Sequence, residues 1–398
     1  MGKINYKSTL HACYLGYITQ ALIVNLPPLL FIVFREKFGL SYTMLGSLVV
    51  VIFLTQLAVD ALAIKFVDKI GHRISAVIAH IFAAVGMLLL AVLPQIMQQP
   101  YIGLVIASLM FSIGGGLIEV LISPIVESLP GDAKASSMSL LHSFYSWGQV
   151  LVIILSTIAL LILGHDLWYI IPILWAILPI VTLIKFTKVP LMPPQHKDER
   201  ISLKTLLTSR IFILAVILMI CSGASEQAMG QWASLFAEQG LGISKTLGDL
   251  LGPCLFAIMM GIVRTFYGIK GQKINMQKVL TISAFVCIIS YVITALSPVP
   301  VLSLIGCSLC GLAVSLMWPG MLSLTAEKYP SGGVMMFAIL AFGGDLGCAI
   351  GPWVTGVVAD RSDLNIGLLS AIIFPSLLFI GLLTLKLISK PKTAAIKR

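Results

Sequence analysis

Four carboxylates stand inside long apolar runs of this chain: Asp60, Glu119, Glu226 and Asp345. An ionisable group at bilayer depth costs roughly 2.5–3.5 kcal/mol on insertion scales, so each of the four is a functional candidate by default. A carboxylate held away from water is costly to keep ionised, which is the condition for taking up and releasing a proton in a repeated cycle. Glu119 follows Gly114, Gly115 and Gly116, where absent side chains let a neighbouring helix or a ligand come close. A structural hydrogen bond to a neighbouring helix is the alternative role. Asp345 sits among Gly343, Gly344 and Gly347 and either titrates or pairs with an internal cation. Asp60 lies within two turns of Asp68 and is the least clearly placed.

Neutral polar groups accompany the acids. Glu226 is followed by Gln227, Gly230, Gln231 and Trp232; the two glutamines are four residues apart and share a helix face, and the indole is a flat amphipathic platform of the kind that stacks on a sugar ring. The bland reading is that the glutamines join helices and Trp232 fills core. His142, Tyr145 and Gln149 fall at i, i+3 and i+7 and so share another face, on which the imidazole could pass protons or simply be hydrogen-bonded. Gln20 and Asn25 offer donors and acceptors suited to hydroxyl groups, or satisfy backbone freed by Pro27 and Pro28. Trp318 with Pro319 reads as a gate or a kink. No cofactor is expected, and no His/Cys cluster has metal-ligand spacing: Cys307 and Cys310 read as packing.

These residues need elements that place them at depth. The chain has 398 residues, 58% hydrophobic and 11% charged, with a mean hydropathy of +1.03. Soluble domains carry about 45–50% apolar and about 25% charged residues, so a soluble enzyme is excluded and lipid is the solvent. A spanning helix takes about 20 apolar residues. Twelve such stretches are expected, at 9–34, 41–64, 74–95, 101–128, 136–163, 167–187, 210–238, 244–268, 277–297, 299–328, 332–358 and 365–388. The Pro-rich and charged interval 188–209 separates residues 1–187 from 210–398, giving two six-helix halves joined by a linker.

Of the 26 Lys and Arg residues, all but Arg35, Lys37, Lys245 and Arg361 fall on the side of the two termini. Cations mark cytoplasmic loops, so the expected topology has both termini and the linker in the cytoplasm. The two halves echo each other. Gly16, Gln20 and Ala21 in the first span match Gly223, Gln227 and Ala228 in the seventh, and Glu127 with Pro130 matches Glu327 with Pro330. Repeated six-helix halves with a site between them near the midplane are one way secondary transporters are built.

The connection Asp68-Lys69-Ile70-Gly71-His72-Arg73 resembles the D-R/K-x-G-R-R loop of the major facilitator superfamily, with Asp68, Lys69, Gly71 and Arg73 in place and Ile64 where a glycine is usual. Four further segments are similar to the fucose permease branch of sugar:proton symporters: Gly16 to Thr19 with Pro27 and Gly39 to Ser41; Gly116 to Glu119 with Pro124; Leu141, His142 and Phe144 with Gly148; and Gly351, Pro352 and Gly356 with Asp360. Ile23 stands where that branch carries an acid, and Ser123 where it carries an asparagine. The resemblance implies an all-α, twelve-helix membrane protein of two pseudo-symmetric six-helix bundles, and a conformational role for the Asp68–Arg73 loop.

No G-x-x-x-x-G-K-S/T is present for ATP-driven transport, and no H-E-x-x-H or G-x-S-x-G for hydrolysis. The expected function is proton-coupled symport of a small neutral polar solute such as a sugar, without enzymatic activity. Glu119, Asp345, Glu226 and His142 would handle protons, and Gln20, Asn25, Tyr145, Gln149, Gln227, Gln231, Trp232 and Trp318 would bind solute. The alternative is a proton-coupled exporter of drugs or amphipathic metabolites. The partners implied are the solute, protons and the bilayer, with no nucleic acid. The chain is expected to act as a monomer in a bacterial inner (plasma) membrane.

Overall fold

The computed structural model describes residues 6–129, 134–191, 203–270, 275–329 and 333–388. In lipid every backbone polar group needs a partner within its own segment, and the apolar runs satisfy this by becoming helices. Among the described residues the regular structure is helical throughout. The spans are α1 (Lys7–Leu29, continued by Phe31–Phe38), α2 (Tyr42–Ile70), α3 (His72–Ile96), α4 (Pro100–Ser128), α5 (Lys134–Leu163), α6 (Ile170–Lys188), α7 (Arg210–Gly240), α8 (Lys245–Tyr267), α9 (Met276–Leu296), α10 (Pro300–Lys328), α11 (Gly333–Arg361) and α12 (Leu364–Ile388). Eleven are single helices long and apolar enough to cross a membrane; α1 is broken, its two pieces meeting at 43°.

That break has a local cause. Pro27 and Pro28 lack the N–H that an unbroken helix would donate, and the turn closes instead through Leu30 N to the Pro27 carbonyl at 3.0 Å. The connection after α2 is shorter than the sequence suggests. Helix runs through Asp68 and Lys69 to Ile70, and Gly71 alone joins α2 to α3, at a φ of 82° that favours glycine. Of the linker, 192–202 lies outside the described residues, and Leu203–Thr208 forms a short helix before α7.

The helices form two six-helix bundles, α1–α6 and α7–α12, which meet along α2 with α11, α5 with α8 and α1 with α7. Most of the polar ties between bundles lie towards the end remote from the linker. Asp360 accepts from the Tyr42 and Thr43 amides at 2.9 and 2.7 Å, the Tyr42 hydroxyl reaches Gln239 at 3.0 Å, and the Thr157 hydroxyl donates to Asp249 at 2.9 Å. At the remote end Lys37 also pairs with Asp166, holding that exposed carboxyl below its usual range through a hydrogen bond and charge.

Candidate functional site

The glycines before Glu119 do what their missing side chains allow. The Gln56 amide of α2 lies over Gly115, the Gln20 Oε1 would stand 3.0 Å from a Cβ there, and Gly116 meets the Gln56 backbone and Val59. α1, α2 and α4 therefore converge one turn from Glu119, and Gln20 Nε2 donates to Glu119 Oε2 at 3.3 Å. Asp60 is four residues beyond Gln56 and shares its face. Asp345 comes from the opposite bundle on α11, next to Gly344, which is covered by the Trp318 ring of α10. Asp60, Glu119 and Asp345 lie near enough for the three charges to act on one another.

A second polar cluster surrounds Glu226. Arg264 of α8 donates through Nη2 to Glu226 Oε2 at 3.1 Å, through Nε to the Ser315 carbonyl at 3.1 Å, and through Nη1 to Ser146 Oγ of α5 at 3.4 Å. Tyr145 lies beside this pair and beside Asn25. Asn25 Nδ2 also donates to the Ala21 carbonyl at 2.8 Å, within its own broken helix. Gln231 Nε2 reaches Gln227 Oε1 at 2.9 Å and, across the bundles, the Val24 carbonyl at 3.3 Å, an acceptor left over because Pro28 has no N–H. Gln149 is buried on α5.

Not every expected residue joins these clusters. The Trp232 indole is 0% exposed, donates to the Pro352 carbonyl at 3.0 Å, and packs against Phe31 and Tyr42, so the expected stacking platform is part of the seam between bundles. The His142 side chain lies outside the described residues, as do those of Asp68 and Lys69. Among the described residues no group of His, Cys, Asp or Glu could hold a metal ion.

A family model described as Major Facilitator Superfamily matches residues 13–352. The chain belongs to the major facilitator superfamily. The facilitator fold recurs in solved structures of low identity. A bacterial homologue of the human lysosomal transporter Spinster, in an inward-facing and occupied conformation, is 12% identical at a TM-score of 0.77 over 99% of this chain and 100% of that one. A D-xylose-proton symporter is 17% identical at 0.72 over 95% and 96%. The E. coli fucose:proton symporter FucP is 16% identical at 0.66 over 96% and 99%. No curated protein matches the sequence significantly.

Of the loop motif's charged residues in this facilitator, Arg73 is the one whose side chain is described. Arg73 donates from Nη1 to the Phe186 and Thr187 carbonyls at 2.9 and 2.7 Å and from Nη2 to Val189 at 2.8 Å, tying the start of α3 to the carbonyl end of α6. Two polar groups were not expected from the sequence. Arg264, counted there among the cations of the linker side, is instead engaged inside α8 by Glu226. Asp249 is a further buried acid, 0% exposed, held by Lys245 at 2.6 Å, by Thr157 and by Ser234. The Lys245 to Asp249 spacing of four residues on one helix was its available signal.

Proposed function

We propose that this facilitator is a secondary active transporter that imports a small neutral polar solute, such as a sugar, together with protons by alternating access of its bundles. One observation supports the reading above the rest: Asp60, Glu119 and Asp345 converge from both bundles with the buried amides of Gln20 and Gln56, and no cation pairs with them among the described residues. Carboxylates so placed exchange protons, and amides bind hydroxyl groups. Glu119 and Asp345 bind the coupling proton in this scheme, and Gln20, Gln149, Gln227, Trp318 and Tyr145 contact solute.

Glu226 serves differently. Its engagement by Arg264 makes the pair a fixed polar wall whose hydrogen bonds orient the solute. Solute binding with protons on the acids lets the bundles close, and deprotonation on the linker side releases both. The interval 188–209 then serves as the tether between 1–187 and 210–398. The cation distribution supports cytoplasmic termini; in this scheme the membrane is a bacterial inner membrane and the chain works as a monomer.

Thermal denaturation of the detergent-purified chain tests the solute class. A polyhydroxylated ligand among D-xylose, L-fucose and nucleosides is expected to raise the melting temperature, since ligand at a hundred times its Kd stabilises by about 2.7 kcal/mol. Stabilisation only by amphipathic organic cations would replace this reading with the exporter.

A further inference from the structure

Asp60 is a half-buried carboxylate, its Oδ1 buried, that is given no task of its own in the transport scheme. α2 and α4 run in the same direction, and Gln56 lies with its amide over Gly115 and its backbone against Gly116. Asp60 stands four residues further along α2 and Glu119 three beyond Gly116 on α4, so about one turn on each helix brings the two carboxyls to similar depth. Among the described residues the buried atoms without a partner here are mostly acceptors: Oδ1 of Asp60, Oε1 of Gln20, Oδ2 of Asp345 and, behind Gly16, Nε2 of His80, against Nε2 of Gln56 as donor. Gln20 is 6% exposed and Gln56 1%, so the shortage is one of donors at a place where unmade hydrogen bonds are expensive.

Among the described side chains the surroundings supply no cation. α1 presents Gln20 and Tyr17, the latter with its hydroxyl on Ser123 of α4 at 2.9 Å. α11 presents Asp345 and Cys348. α3 presents His80 behind Gly16, its Nδ1 at 2.7 Å from the Ala76 carbonyl. Arg264 is engaged by Glu226.

We propose that Asp60 and Glu119 form one two-carboxyl proton site, and that Asp345 is the charge this site meets from the opposite bundle. The proposal rests on the reading of the cleft as proton-coupled and assigns its proton to Asp60 with Glu119 instead of to Glu119 and Asp345. Two facing carboxylates in a low dielectric repel, and a proton taken from water by one supplies the O–H donor that its neighbours lack. The pair titrates as a unit. Closing the cleft carries Asp345 towards this pair, so a charged pair opposes closure and a protonated pair permits it.

Infrared titration of the full chain in lipid, with no solute, follows the carboxylic C=O stretch. Asp60→Asn is expected to change the proton affinity of Glu119 at least tenfold, and Glu119→Gln to do the same to Asp60. Asp60→Glu and Glu119→Asp, which keep both carboxyls, retain the coupled two-step titration and stand in if an amide variant does not fold. The proposal is overturned if each carboxyl titrates the same whether or not the other is present, or if both remain ionised around neutral pH. No solute enters this measurement, so a failure of proton-coupled uptake would sink the transport scheme and leave this result standing.

Discussion

Glu226 and Arg264 illustrate how a single residue acquires its role from burial. Their side chains are 9% and 14% exposed. Removing one member of a buried ion pair strands the other, at a cost of about 3–5 kcal/mol, whereas replacing both removes the stranded charge. Arg264→Ala is therefore expected to lower the melting temperature sharply in detergent, and Glu226→Gln/Arg264→Gln to recover most of the loss. Equal melting for the wild type and Arg264→Ala would show the pair to be energetically idle. Glu226 stood out in the sequence because lipid makes any mid-run carboxylate conspicuous. Arg264 was not, since a cation near the end of an apolar run looks like an ordinary cytoplasmic flank. Trp232 was misleading for a related reason: an indole suits a sugar platform and a packed seam equally well, and only its neighbours Phe31, Tyr42 and Pro352 distinguish the two.

At the scale of elements, glycine spacing sets which helices come close. A Cβ on Gly347 would collide with the Ile220 carbonyl, and one on Gly351 would stand 2.6 Å from the Ala224 carbonyl, so α11 lies directly on α7 and brings Asp345 to the cleft. The twelve spans were readable from apolar length, but the break of α1 and the near-continuity of α2 with α3 were not, because both depend on how a turn closes around Pro27, Pro28 and Gly71. One consequence belongs to the ends of α2 and α11. Asp360 accepts both Tyr42 and Thr43 amides at the N-terminus of α2, where unsatisfied donors and the helix dipole favour a negative charge. Each hydrogen bond to a charged group contributes about 1.5–3 kcal/mol. Asp360→Ala should loosen the seam, and the distance between spin labels at Gln98 and Val299, in the remote loops of the two bundles, should lengthen in a larger share of molecules. An unchanged distance distribution would show that the seam is held by its apolar packing alone.

The whole molecule is a facilitator fold of two bundles with carboxylates from both between them, and most of the polar ties across the seam lie towards the end remote from the linker. Its class and its two-part build were legible because the membrane imposes them on composition, on span length and on the placement of cations. Which of the polar residues meet was not legible, because Asp60, Glu119 and Asp345 lie on three helices far apart in sequence and come together only through packing. Proton-driven accumulation in proteoliposomes tests the account most directly. With an inward-directed proton gradient, the wild type is expected to concentrate a polyhydroxylated solute such as D-xylose or L-fucose, and Glu119→Gln to lose that accumulation at least tenfold while still exchanging solute across the membrane. Uptake that ignores both the gradient and Glu119→Gln would contradict it.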